Sequence, residues 1–260
     1  MDIKFYHIDA FTGRAFAGNP AGVCFLNAWI EDEILLAIAK ENNLPETAFL
    51  VKAGDRYDLR WFTPKVEIDL CGHGTLASAF AIFEYVNQDA IRLEFQTKSG
   101  ILTVERKRDL LLMGFPARKP KPCPPPDKIN EILGVSPYKT LIARDLMAVY
   151  EEEDQVRRLT PDLERVAALD CFAVIVTAPG KNSDFVSRFF APGAGIPEDP
   201  VTGSAHCTLI PYWAERLGKK DLHALQLSER GGELFCIDRG DRVIIGGKAV
   251  TYLAGVITIP

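Results

Sequence analysis

The stretch PARKPKPCPPPD at residues 116–127 constrains this chain more than any other. Six of its twelve residues are proline. Proline has no backbone N–H and a fixed φ, so neither a regular helix nor an interior strand can run through it. The seam falls near the middle of a 260-residue chain and divides it into halves, 1–118 and 119–260. Each half is long enough to bury a core of its own. The last strand of the chain is free to return to the first half.

Strand-like segments appear at 2–9, 20–26, 47–52 and 57–62, then near 91–96, 101–106 and 110–115. Helical periodicity appears at 31–42 and 74–87. After the seam, helices are expected at 127–133 and 161–168, strands at 171–177 and 184–190, and a helix from about 202 to 217. The short helix PDKINEILG has Pro126 and Asp127 to start it and Gly134 to stop it.

The order of elements partly recurs, and so do residues. Arg60-Trp61-Phe62-Thr63-Pro64 aligns with Arg188-Phe189-Phe190-Ala191-Pro192. With one insertion, KVEIDLCGHGTLASA faces GAGIPEDPVTGSAHC, which pairs Gly74 with Gly203, Thr75 with Ser204, and Cys71 with Pro200. Each half therefore has an aromatic strand, a Pro turn, an acidic loop, a Gly turn and a helix, which points to a duplicated, pseudo-symmetric α+β fold.

Net charge of −5 with no basic block argues against a nucleic-acid or anionic-membrane surface. No apolar run has the length of a membrane span, and MDIKFYHIDAF alternates like a strand rather than a signal peptide. Six scattered cysteines without framework spacing read as reduced thiols in a cytoplasmic protein.

In both halves the Gly turn leads straight into a helix. The first N–H groups of a helix lack intrahelical partners and carry the positive end of its dipole, so they attract anions. Gly72 and Gly74 in one loop, and Gly203 and Ser204 in the other, are the candidate grip for a small carboxylate. Either loop alone also reads as an ordinary helix cap; the matched pair favours binding. Glu46, between Pro45 and an apolar strand in NNLPETAF, is a candidate acid–base group if partly desolvated. The bland alternative is a surface glutamate at a loop end. His73, between two glycines, is expected to orient substrate or trade protons, and Asp199 in EDPVTGSA is the polar candidate of the second half. Cys71-x-His73 and His206-Cys207 lack the paired spacing of a structural zinc site, and the latter falls inside a predicted helix, so a metal is not expected. No nucleotide-binding glycine or lysine loop is present.

Taken together, IDAFTGRAFAGNPAGV, NNLPETAF, RWFTPKVEIDLCGHGTLA, EDPVTGSA and a late RGG resemble, in that order, the phenazine-biosynthesis isomerase (PhzF-like) family. The resemblance implies the diaminopimelate-epimerase-like fold: two similar domains, each a β-barrel-like sheet around a central helix, with the active site in the cleft between them. It implies Glu46 as the proton-transferring residue, assisted by His73 and Asp199, with Gly203 and Ser204 helping to hold substrate. The implied reaction moves a proton on a cyclic amino-carboxylate without cofactor or metal, in a homodimer. Relatives of that fold racemise with two cysteines, one per loop. Here DLCGHG supplies one, but Asp199 and Pro200 stand where the other is required. Cys71 is then expected to be a remnant or packing residue. The rival expectations are a racemase or epimerase using Cys71 with another partner, and a carboxylate-binding protein without chemistry.

Overall fold

A computed structural model describes residues 1–259. The chain runs β1 (Asp2–Ala10), β2 (Asn19–Leu26), α1 (Asp32–Asn42), β3 (Glu46–Ala53), β4 (Arg56–Phe62), β5 (Glu67–Ile68), α2 (Gly72–Tyr85), β6 (Arg92–Thr97), β7 (Gly100–Lys107) and β8 (Leu110–Pro116). It continues through β9 (Lys121–Pro122), α3 (Ile129–Leu133), β10 (Lys139–Ile142), β11 (Leu146–Val149), α4 (Glu153–Arg158), α5 (Leu163–Ala167), β12 (Val174–Pro179) and β13 (Phe185–Phe190). It ends with α6 (Gly203–Leu217), β14 (Asp221–Gln226), β15 (Gly232–Asp238), β16 (Arg242–Gly247) and β17 (Ala249–Thr258).

Two compact units result, Met1–Gly114 with the segment from Gly246, and Phe115–Ile245. The first unit thus ends before residue 118, and the second does not extend to the end of the chain. The reason is pairing: β17 lies antiparallel to β1 from Asp2↔Thr258 to Ala10↔Ala249.

Within each unit the strand pairings follow one series. In the N-terminal unit β1–β2 is antiparallel, β2–β3 parallel, β3–β4 antiparallel, β4–β6 parallel and β6–β7 antiparallel. In the C-terminal unit β10–β11, β11–β12, β12–β13, β13–β14 and β14–β15 repeat that alternation. Parallel neighbours need a crossover, and each one here carries helix. The crossovers are α1 and α2 in the first unit, and α4–α5 and α6 in the second. The repeat read in the sequence is therefore a repeat of topology.

Helix α2 lies at the core of the first unit. In α2, Leu76, Ala77, Ala79, Ala81, Ile82 and Phe83 are all buried, a helix apolar all round and so a core element. It touches β1, β2, β3, β7 and β17. Full burial of each large side chain contributes roughly 1.5–3 kcal/mol. In the second unit Trp213 of α6 stacks on Phe185 at 5.6 Å and donates its Nε1–H to Thr177 Oγ1 at 3.0 Å. Pro211 lies inside that helix and cannot donate to the carbonyl of Cys207. That carbonyl instead accepts the Arg118 N–H at 2.8 Å.

Caps set several element ends. Asn43 takes the left-handed conformation (φ 48°) and closes α1 by donating its N–H to Ala39 O, a position asparagine tolerates. Gly134 (φ 80°) ends α3 as expected, but Asp127 does not start it. Lys128, itself left-handed at φ 58°, occupies the cap with no side-chain bond. Gly18 is positive in φ at 66°, and a Cβ there would sit 2.1 Å from the Ala10 carbonyl oxygen. No helix among the described residues is long and apolar enough to cross a membrane.

Candidate active site

The N-terminal unit brings three sequence candidates into one buried cluster. Glu46 is the first residue of β3, held parallel against Ala21 of β2. The turn that delivers it is fixed by the left-handed Asn43 and by Asn42, whose Nδ2 donates to Thr47 Oγ1 at 3.2 Å. His73 lies in the first turn of α2, whose cap is Cys71. The Cys71 sulfur accepts the Gly74 N–H at 3.3 Å, and its carbonyl accepts the Thr75 hydroxyl at 2.6 Å.

His73 Nε2 stands 2.7 Å from Glu46 Oε2, with the two residues 7 % and 8 % exposed. The approach has the distance of an ion pair but not the alignment of a hydrogen bond, leaving Oε2 with no hydrogen-bond donor. The Cys71 sulfur lies 3.6 Å from His73 Nδ1 and 3.9 Å from Nε2. Burial alone would lower the His73 pKa. The Cys71 sulfur and the Glu46 carboxylate outweigh it and hold the imidazole well above the ordinary histidine range. The Cys71 thiol is pushed up, by burial first and by the Glu46 charge second. The arrangement is a carboxylate facing an imidazolium, with a thiol beside it, at the positive end of a 14-residue helix.

Glu46, Cys71 and His73 offer ligand atoms within 4.8 Å of one another, the donor set of a three-ligand zinc site. The spacing does not suit it. Two ligands on one tetrahedral zinc stand about 3.3 Å apart for bonds of about 2.0–2.1 Å, whereas Nε2 and Oε2 are at 2.7 Å. The pair has the geometry of direct contact. A cavity of about 510 Å³ in the same unit, lined by Phe25, Trp29 and Lys52 among others, contains none of the three.

Trp61 of β4 lies against Gly74 beside the cluster, a place that its motif RWFTP does not reveal. A Cβ on Gly74 would come 2.8 Å from Trp61 Cδ1 and 3.0 Å from the Cys71 sulfur, so glycine lets indole and thiol approach together. The Trp61 Nε1–H is buried with no partner. Gly72 is the first residue of α2 and partly exposed, whereas Gly74 is buried with its N–H committed to the Cys71 sulfur.

Asp199, Gly203 and Ser204 lie in the C-terminal unit. Asp199 accepts the Thr202 hydroxyl. Gln226 locks the loop, its Nε2 donating to Asp199 O at 2.8 Å and its Oε1 accepting the Thr202 N–H at 2.9 Å. Gly203 opens α6, and Thr202 is its cap. Matched on their helix starts, the counterpart of Cys71 is Thr202, not the Pro200 of the sequence alignment. Cys207 sits 3.9 Å from Gly203 O within the helix, and burial pushes its thiol up to about 11. A second thiol at the helix start, of the kind two-base racemisation needs, is absent from this loop among the described residues.

The sequence reading missed Arg144. It clamps the fully buried Asp145 through Nε and Nη2, both at 2.8 Å, and Nη2 reaches Ser204 Oγ at 3.2 Å. The only available signal was an Arg-Asp pair between two apolar strands. The repeat, by contrast, extends to ion pairs. Arg60 clamps Glu67 at 2.7 and 2.8 Å and lies over Phe62; Arg188 clamps Glu198 at 2.7 and 2.8 Å and lies over Phe190.

Comparison with known proteins places this geometry in context. The sequence profile described as phenazine biosynthesis-like protein (PhzC-PhzF) matches residues 8–255. An uncharacterized isomerase of Pseudomonas aeruginosa is 49 % identical over 257 residues, covering 99 % of each chain. A phenazine biosynthesis protein of the PhzF family from Enterococcus faecalis superposes with a TM-score of 0.98 at 46 % identity, covering 100 % of both chains. A hydroxyproline epimerase from Agrobacterium vitis superposes with a TM-score of 0.62 at 10 % identity, over 98 % of this chain and 92 % of that one, and shares the fold alone.

Proposed function

The chain belongs to the phenazine biosynthesis-like (PhzC-PhzF) family, and on that premise we propose that it is an isomerase in which Glu46 moves a proton between two carbons of a small carboxylate-bearing substrate. The observation that carries the reading is the buried contact of Glu46 Oε2 with His73 Nε2 at the start of α2. A carboxylate in a dry site takes a carbon-bound proton as base and returns it to another carbon as acid. The carbanion or enolate formed between those steps is negative. His73, held protonated, and the free N–H groups opening α2 supply preorganised positive charge for it.

The reading requires no cofactor, because both proton steps fall to one side chain. Asp199, Gly203 and Ser204 are proposed to assist, with the opening N–H groups of α6 and the Ser204 hydroxyl suited to a substrate carboxylate. A cyclic amino acid is the substrate class proposed, and a homodimer the assembly. The test is exchange in D2O: deuterium enters a true substrate with the wild-type protein, and Glu46→Gln slows both exchange and turnover by about 10²–10⁴. A glutamine variant of wild-type activity removes the mechanism.

A further inference from the structure

The mechanism as derived uses Glu46 and His73 and leaves Cys71 idle, yet the cysteine is the most constrained member of the cluster. It is 5 % exposed. The Gly74 N–H binds its sulfur at 3.3 Å. A Cβ on Gly74 would meet both that sulfur and the Trp61 indole, so only glycine fits beside them. The imidazole also stands against it, with both ring nitrogens within 4 Å of the sulfur. A residue kept only to fill space needs none of these alignments.

We propose that Cys71 is a positioning residue for the proton-transfer pair, its pinned sulfur fixing the orientation and proton content of the His73 ring opposite Glu46. The proposal rests on the reading of Glu46 and His73 as the working pair. The physical basis is contact. An imidazole on the first turn of a helix has free rotamers unless something blocks them. Here the sulfur and the carboxylate both contact the ring, which restricts its orientation. Sulfur is also polarisable and a weak acceptor, which favours the positive form of a ring lying against it. Cys71 therefore has two duties, capping α2 and seating His73, and they can be separated experimentally. The charged or titratable groups that act on His73 are Cys71 and Glu46.

The measurement is nitrogen NMR of the histidine rings in the full-length, substrate-free protein. The chain has four histidines, and the His73 signals are assigned by their loss in His73→Gln. Cys71→Val replaces the sulfur by two methyl groups, one heavy atom more. It is expected to lower the proton affinity of His73 and to shift its ring nitrogens. Loss of a cap alone would change the Gly74 amide and leave the ring where it was. Cys71→Ser restores a polar cap but has a smaller, less polarisable atom, so it is expected to recover the Gly74 amide while the ring remains shifted. A folded valine variant with wild-type His73 signals overturns the proposal. So does a serine variant indistinguishable from wild type at His73, which covers the case in which valine prevents folding. None of these arms needs a substrate. Failure of the Glu46 reading would show instead as turnover retained in Glu46→Gln.

Discussion

His206 makes the first turns of α6 sensitive to acid. Its ring is completely buried, with Nδ1 at 2.8 Å from the Thr202 carbonyl and no hydrogen-bond partner at Nε2. That geometry fixes the neutral tautomer with the proton on Nδ1. A second proton would put an unsolvated positive charge near the positive end of a helix. Burial accordingly pushes its pKa down to about 4, only partly offset by the bond to Thr202. The unfolded chain protonates it near 6.5, so between those values the unfolded state holds more protons and stability falls as pH falls. The contribution is intact above about 6.5, declines through the window and is lost below about 4. A displacement of about 2.5 units at 1.36 kcal/mol each is roughly 3 kcal/mol, a large part of the 5–15 kcal/mol typical of a domain. His206→Asn keeps an N–H for Thr202 and removes the titration. Urea unfolding at intervals from pH 7.5 to 4 should show the wild type losing roughly 3 kcal/mol more than the variant. Parallel pH profiles, with a difference below about 1 kcal/mol, would refute the reasoning.

Three further outcomes follow from packing and charge. Gly18→Ala places a Cβ 2.1 Å from a backbone oxygen at a left-handed φ; it should cost more than the roughly 1–2 kcal/mol of the conformation alone, and an unchanged thermal melt would contradict this. Arg188→Met strands Glu198 and frees the Val156 and Leu159 carbonyls; a loss of about 3 kcal/mol is expected in denaturant titration, and a loss under 1 kcal/mol would show that the clamp is dispensable. The raised pKa of His73, held up against burial by Cys71 and then by Glu46, gives a stabilising contribution that is full below about 6.5 and lost as pH rises through the folded value. Glu46→Gln should therefore flatten the alkaline decline in stability, and an unaltered profile would speak against the pair.

The repeat, the seam and most elements were legible because they are local. A continuous apolar run marks β3, alternation marks β4, and all-round apolarity marks α2. The site was half legible. Glu46 and His73 announce themselves by a loop end and a glycine-flanked position, but no spacing rule states that β3 and α2 bring them to 2.7 Å. The pairing of Cys71 with Pro200 slipped because glycines were matched, whereas the helix starts equate Cys71 with Thr202. Arg144 escaped notice because its contact with Ser204 spans 60 residues and exists only in the folded unit. The cap at Lys128 defeated a rule that expects aspartate or proline there.

The central claim is that Glu46 carries the proton. Small cyclic amino-carboxylates incubated with the protein in D2O and followed by proton NMR test it most directly. The account predicts that a C–H signal of the true substrate is lost with the wild-type protein, and that Glu46→Gln slows this loss by about 10²–10⁴, the range of general acid–base catalysis. Exchange by Glu46→Gln at the wild-type rate would contradict it.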